Sequence, residues 1–350
     1  MKTGRTITEL AQELQRQSEA KADFIAPTNQ IIAEAGRQGI ALNFADQQML
    51  PVRPTAHGQI ASITGVPKRY YDRMLAEDPD LLAMNINAWL GRKDDRRMIR
   101  TLDGNVRAML SDRYARIDNL EIAEAILPVL AEAPEIKIAS CEITERRLYI
   151  KAVDTRIRGE AKLNDIVEAG VLITNSEIGS GALAITPMIH RLVCLNGMVL
   201  NDSKFRRSHV GSRADIGDAA YAMLTDETKQ ADDKAILLKA RDIVKGALDA
   251  TLFEKNLEKM RAATEGEKMA DPQGSIERLS NKMGIQEQER TSILRHLIEG
   301  GDLTKWGALN AITRAAQDID SYDRSTELEQ IGGDILNLPA SEWRELAEAA

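Results

Sequence analysis

The chain has 350 residues, 43% hydrophobic and 29% charged, with a formal charge of −8 at pH 7. This mixture excludes a collagen, a disordered tail and a disulfide scaffold, and the length accommodates more than one domain. Aromatic residues make up only 4%, so the core must rest on Leu, Ile, Val, Ala and Met, a bias toward helices over an all-β sandwich. The fold class expected is α+β: an antiparallel β-hairpin sheet flanked by helices, followed by a mainly helical C-terminal region. Cys141 and Cys194 lie far apart, and no apolar stretch is long enough for a signal peptide or membrane span. A reduced, cytoplasmic protein with no membrane partner is expected.

In chain order, Ile7, Leu10 and Leu14 recur at helical spacing behind Thr6, which predicts an amphipathic helix over 6–20. Short extended pieces follow around Pro27 and over 39–44, and a Pro-rich link leads into two or three helices over 55–91. From about 96 the period becomes that of strands. Asp103–Gly104 is a tight-turn pair between two such runs, so 96–114 reads as a β-hairpin. Asp118 and Glu121 form a capping-box pattern that opens the next helix. Further strands are predicted at 136–144, 146–153 and 169–177, giving one antiparallel sheet of about five strands between 96 and 210. The stretch 186–200 fits two forms: Asn196–Gly197 signals a hairpin, whereas Thr186–Pro187 and the spacing of Met188, Ile189, Leu192 and Val193 favour a helix closed by Asn-Gly. The helix is the reading preferred. A long helical region is expected to about 262, with shorter helices at 274–284, 287–299, 303–318 and 324–336. These readings divide the chain into a helical N-terminal region (1–95), a sheet core with basic segments (96–213) and an acidic helical region (214–350).

The charge follows that division. Residues 1–213 carry 29 Lys and Arg against 27 Asp and Glu, and residues 214–350 carry 17 against 27. Positive charge is concentrated in 92–116, which holds Arg92, Lys93, Arg96, Arg97, Arg100, Arg107, Arg113 and Arg116, and again in 204–213. Local potential rather than net charge decides where a polyanion docks.

Catalytic and metal patterns are missing. The four histidines lie in no metal-type string, and His190 with Cys194 would offer two ligands one turn apart, too few for zinc. The I-G-S-G-A stretch at 178–182 lacks the ending that lets a Walker loop hold phosphates and reads as a loop between strands. No hydrolase elbow occurs. The chain is therefore expected to be non-enzymatic and to need no cofactor. What remains is basic residues interleaved with rings: Lys68, Arg69, Tyr70, Tyr71 and Arg73; Arg113, Tyr114 and Arg116; Arg146, Arg147 and Tyr149; Lys204, Phe205, Arg206 and Arg207. Cations that track a backbone beside rings that stack on bases are how single-stranded nucleic acid is held.

The strings GVPKRYYDRML, RAMLSDRYARIDN, TERRLYIKAV and HRLVCLNGMV followed by KFRRSHVG, with the tail ITRAAQDIDSYDRSTELEQIGGDIL, resemble the phage/plasmid-like family of domain of unknown function 932. That resemblance spans about residues 40–335 and implies mobile-element origin with no established activity. In element order and basic content the chain is more distantly similar to the phage single-strand annealing proteins of the Erf and RecT kinds. These imply rings or filaments that hold single-stranded DNA in a basic groove. Together these readings predict a non-enzymatic DNA-metabolism protein of a mobile element, a homo-oligomer that binds single-stranded DNA and promotes annealing. Arg96, Arg97, Arg100, Arg107, Arg113 and Arg116 with Lys204, Arg206 and Arg207 would neutralise phosphates. Tyr114 and Phe205 would stack, and Lys68, Arg69, Tyr70 and Arg73 would add a secondary contact. The alternative is an oligomeric assembly or protein-interaction component.

Overall fold

Thr6 opens the first helix with a reciprocal cap: its hydroxyl accepts from the Glu9 N–H at 3.2 Å, and Glu9 Oε2 accepts from the Thr6 N–H at 2.8 Å. The computed structural model, which describes residues 1–37, 39–44, 49–114, 117–200, 205–207 and 225–348, then runs from this helix α1 (Ile7–Ala20) into strands β1 (Lys21–Pro27), β2 (Ile31–Gly36), β3 (Gly39–Phe44) and β4 (Leu50–Pro51). Three short helices follow, α2 (Pro54–Thr64), α3 (Lys68–Glu77) and α4 (Pro79–Leu90). Strands β2, β3 and β4 form a small antiparallel sheet. On the free edge of β2, the Asn87 side chain of α4 accepts from the Ala33 N–H at 2.7 Å and donates to the Ala33 carbonyl at 2.9 Å. That pairing blunts the edge against foreign strands.

The predicted hairpin is present as β5 (Arg96–Leu102) and β6 (Asn105–Ser111), joined by Asp103 and Gly104 with φ of 52° and 70°. It is not part of the large sheet. Its partner is β1, in the order β1-β5-β6, and its inner residues Ile99 and Val106 pack with Leu42, Ile60, Tyr71 and Ile86 in an N-terminal core.

Helix α5 (Asn119–Ala131) leads into the large antiparallel sheet of β7 (Ile136–Ile143), β8 (Leu148–Lys162), β9 (Asp165–Asn175), β10 (Leu183–Arg191), β11 (Asn196–Val199) and β12 (Phe205–Arg207). Its order is β11-β10-β9-β8-β7, with β12 also beside β10. Successive side chains in the middle strands enter different cores, as a two-residue period requires. Leu148, Ile150, Val171 and Ile173 face α1, α5 and the next helix, whereas Tyr149, Leu172 and Met188 meet Tyr322 of the C-terminal helices.

The 186–200 stretch is where the preferred expectation fails. It forms β10 and β11 and not a helix, and the turn occupies Leu192–Leu195, with Leu195 at φ 50°, so that Asn196 and Gly197 lie within β11. Residues of β10 are buried on both faces, and a continuous apolar run fits either period. The I-G-S-G-A stretch is a loop between β9 and β10, as expected.

The C-terminal region is helical: α6 (Asp226–Ala247), α7 (Ala250–Glu265), α8 (Pro272–Met283), α9 (Glu287–Gly300), α10 (Lys305–Ala315), α11 (Tyr322–Leu336) and α12 (Ala340–Ala347). The expected long helix breaks where Asp249 Oδ1 accepts from the N–H groups of Thr251 and Leu252 at 2.8 and 3.1 Å. Trp306, Ile312, Leu328 and Ile335 pack with Val167 and Ile189 of the sheet. Fully buried, Lys151 of β8 meets Glu329 of α11 at 2.6 Å. Among the described residues no helix is long and apolar enough to cross a membrane.

Candidate nucleic-acid interface

A buried ionic cluster ties the β5–β6 hairpin to the end of the large sheet where β9 gives way to β10. Arg100, in the middle of β5, is 0% exposed. Its Nε donates to Asp23 Oδ1 at 3.1 Å, its Nη2 to Asp118 Oδ1 at 2.6 Å and its Nη1 to the Glu177 carbonyl at 2.9 Å. Lys21 shares the other oxygen of Asp118. Burial works against the charged guanidinium, but Asp118 and Asp23 outweigh it and hold Arg100 above its ordinary value. Burial likewise opposes an ionised Asp118, and Arg100 with Lys21 overcomes it, so that this carboxyl titrates below the usual carboxylate range.

Arg107 reaches the same cluster through a β-bulge. The ladder pairs Arg100 with Ala108 and Thr101 with Val106, which leaves Arg107 as an extra residue. A bulge re-aims the side chain it inserts, and Arg107 here meets Glu177 Oε2 at 2.6 Å. Glu177 Oε1 accepts from the Asn119 N–H at 2.7 Å, on the first turn of α5, where the helix dipole favours a carboxylate. The Nε of Arg107 is buried and has no hydrogen-bond partner among the described residues.

This arginine lines a cleft of about 190 Å³ together with Arg53, Arg146 and Arg147 and the acids Glu13, Glu145 and Glu177. Two of those acids are engaged: Glu177 by Arg107, and Glu13 by Arg16 at 2.9 Å, whose hydrogen bond draws the Glu13 carboxyl down to about 2. The loop over 176–182 forms one side of the cleft. Ser176 Oγ accepts from the Ser180 N–H at 3.0 Å, Gly179 takes φ 75°, and Arg147 Nε donates to the Ser180 carbonyl at 3.1 Å. Gln59 of α2 donates to the Ile178 carbonyl at 2.7 Å and accepts from the Met109 N–H at 2.7 Å, fixing the loop to β6.

The structure sorts the predicted residues into three groups. Arg100, Arg107 and Tyr114 are corrections, because each is turned inward. The two arginines are held by carboxylates, and Tyr114 is buried with its hydroxyl donating to the Ser176 carbonyl at 2.7 Å and accepting from the Gly179 N–H at 3.2 Å. Neither face of that ring is open to a base. At the surface stand Arg69, Tyr70, Arg96, Arg113 and Arg206, with Arg97 half-buried beside Asp95 at 3.0 Å. Lys68 and Arg73 are paired along α3 with Asp72 and Glu77. Phe205 is half-buried against the core beneath β10, and β12 places Arg206 and the backbone of Arg207 opposite Ala184 and Leu183. Arg116 and Lys204 lie outside the described residues.

Of the later basic segment, the described Phe205–Arg207 pair with Leu183–Ile185 of β10, just after the loop that receives Arg100 and Arg107. The cations facing the cleft are nevertheless mainly others. Arg53 was not singled out in the sequence, whereas Arg146 and Arg147, in the β7–β8 turn, belong to the basic cluster read there with Tyr149. His190 and Cys194 do not share a helix face: His190 Nδ1 lies 3.4 Å from Glu168, and Cys194 Sγ accepts from Arg191 at 3.3 Å.

Comparison with known proteins adds one finding. A family model described as domain of unknown function (DUF932) matches residues 107–330. No curated protein and no solved structure matches the chain. The matched residues run from the bulged Arg107 through the large sheet to α11, well over half of the sequence, and the chain belongs to the DUF932 family.

Proposed function

We propose that this protein is a DNA-metabolism component of a mobile element that binds single-stranded DNA and brings complementary strands together without a chemical step. The observation that carries the proposal is the cleft whose wall gathers Arg53, Arg107, Arg146 and Arg147, with Arg146 exposed to solvent. Phosphate is the anion a cluster of forked arginines suits best. The order of hairpin, helix and antiparallel sheet, β5–β6, α5 and β7–β10, supports a kinship with the Erf and RecT annealing proteins and with it a homo-oligomeric working form.

Oligonucleotide affinity measured against salt tests this. Release of counterions predicts a linear fall of log K with log salt at about 0.7 per phosphate for a single strand. No affinity at about 50 mM salt, or a flat dependence, would contradict it.

One observation favours a second reading, an assembly component that contacts protein instead. Leu163, Val193, Leu195 and Ile298 are exposed apolar side chains at the β8–β9 and β10–β11 tips and on α9. Light scattering in which oligomer size drops on replacing these four with Ser, with oligonucleotide affinity absent throughout, supports that reading.

A further inference from the structure

Among the described residues only two aromatic side chains fall in the exposed class, Tyr70 at 47% and Trp89 at 42%. They belong to neighbouring helices. Asp78 alone separates α3 from α4, and Asn85 Nδ2 lies 3.6 Å from Met74 Sδ across the pair. Tyr70 is four residues back from Met74 and Trp89 four residues on from Asn85, each about one helical turn beyond that contact on its own helix.

Positive charge surrounds them. Arg92 Cζ lies 4.8 Å over the Trp89 ring, Arg69 precedes Tyr70, and Arg96 opens β5. These three arginines are exposed, and among the described residues none has a carboxylate partner. The acids of α3 are already engaged, Asp72 by Lys68 and Glu77 by Arg73; Asp78 and Asp80 at the start of α4 and Asp94 remain, Asp78 accepting from the Leu81 N–H and Asp94 3.4 Å from the Asn29 amide. Helix α2 links this face to the cleft. A Cβ at Gly58 would meet Lys68 Cε at 3.8 Å, while the next residue, Gln59, holds the loop beside Arg147.

We propose that Tyr70 and Trp89 form a stacking platform for unpaired bases, with Arg69, Arg92 and Arg96 meeting the phosphates between them. The occupant is a single strand because exposed ring faces beside unpaired cations suit bases whose own faces are open, whereas a duplex hides them. The platform rests on the single-strand reading above and extends it to a surface outside the cleft.

Intrinsic fluorescence tests it in the full chain. Of the three tryptophans, Trp306 and Trp343 are 1% and 3% exposed, so Trp89 is the one that solvent and ligand reach. A thymidine oligonucleotide of about 30 residues should quench Trp89 emission in step with binding followed by anisotropy of a labelled strand. Tyr70→Ala and Trp89→Ala should each lower affinity about tenfold, and Trp89→Phe should abolish quenching while keeping most of the affinity. Both positions are at the surface, and circular dichroism checks the fold of each variant. Binding without quenching, with Trp89→Ala at wild-type affinity, overturns the platform and leaves the cleft reading intact. Absence of binding at low salt overturns both. Quenching that follows protein concentration rather than oligonucleotide shows the face covered by a second copy and also overturns the platform.

Discussion

Arg100 and Arg107 of the β5–β6 hairpin and Arg146 and Arg147 of the β7–β8 turn are used in opposite ways. Arg100 and Arg107 point inward to Asp23, Asp118 and Glu177, whereas Arg146 is exposed and Arg147 donates to a backbone carbonyl at the cleft. The difference lies in distant carboxylates and not in the local sequence. A guanidinium with a buried carboxylate waiting becomes a rivet between layers, and one without it remains available to a ligand.

The largest effect expected from that contrast is on stability. Arg100→Met removes the guanidinium from a buried cluster, leaving Asp23 without its partner and Asp118 with Lys21 alone, which should cost about 3–5 kcal/mol. Arg146→Ala should stay within about 0.5 kcal/mol. Urea unfolding monitored by circular dichroism compares the two, and equal losses would break the distinction.

Next comes binding, where the order should invert. Arg147→Ala is expected to lower oligonucleotide affinity about tenfold and to reduce the salt slope by about 0.7, with the unfolding midpoint moved little. A variant that binds as well as wild type would place the strand elsewhere.

Acid titration gives a smaller effect. Asp118 is held ionised below its unfolded value, so the stability it contributes is complete above the unfolded carboxylate pKa near about 3.9 and is lost as pH falls through the lower folded value. Asp118→Asn should weaken the protein at neutral pH and flatten the loss below about pH 4. An unchanged acid limb would show that the Arg100 cluster does not govern it.

The N-terminal core supplies the smallest, and it occupies a separate pH window. Burial, with Lys68 nearby, pushes the His57 imidazole down to about 4, and its Nδ1 lies 2.8 Å from the Tyr71 hydroxyl. The folded state thus binds a proton less readily than the unfolded one, whose histidine titrates near about 6.5. Stability is complete above that value and declines as pH falls from about 6.5 toward 4. His57→Gln should remove the slope in this window and leave the more acidic one, as thermal melts across pH would record.

Local signals carried much of this architecture. Asp103–Gly104 supplies the positive φ of its turn, Thr6 with Glu9 and Asp118 with Glu121 mark helix starts, and the 3.6-residue period marks the C-terminal helices. What could not be read were features settled by partners far along the chain. The hairpin left the large sheet because β1, some 75 positions earlier, pairs with β5. The bulge at Arg107 breaks the alternation that would have shown which way its side chain faces. Burial of β10 on both faces removed the period that separates strand from helix. At the site, Tyr114 looked like a stacking ring because nothing nearby reveals that Ser176 and Gly179 hold its hydroxyl. Trp89 was passed over because its basic companions lie after a helix end and not beside it.

The account's central claim is that the arginines of the cleft neutralise the backbone of a single strand, and the salt dependence of oligonucleotide affinity tests it most directly when wild type is compared with an Arg146→Ala/Arg147→Ala double variant. The account predicts a linear dependence for both, with the variant's slope shallower by about 1.4. Parallel lines of equal slope would contradict it.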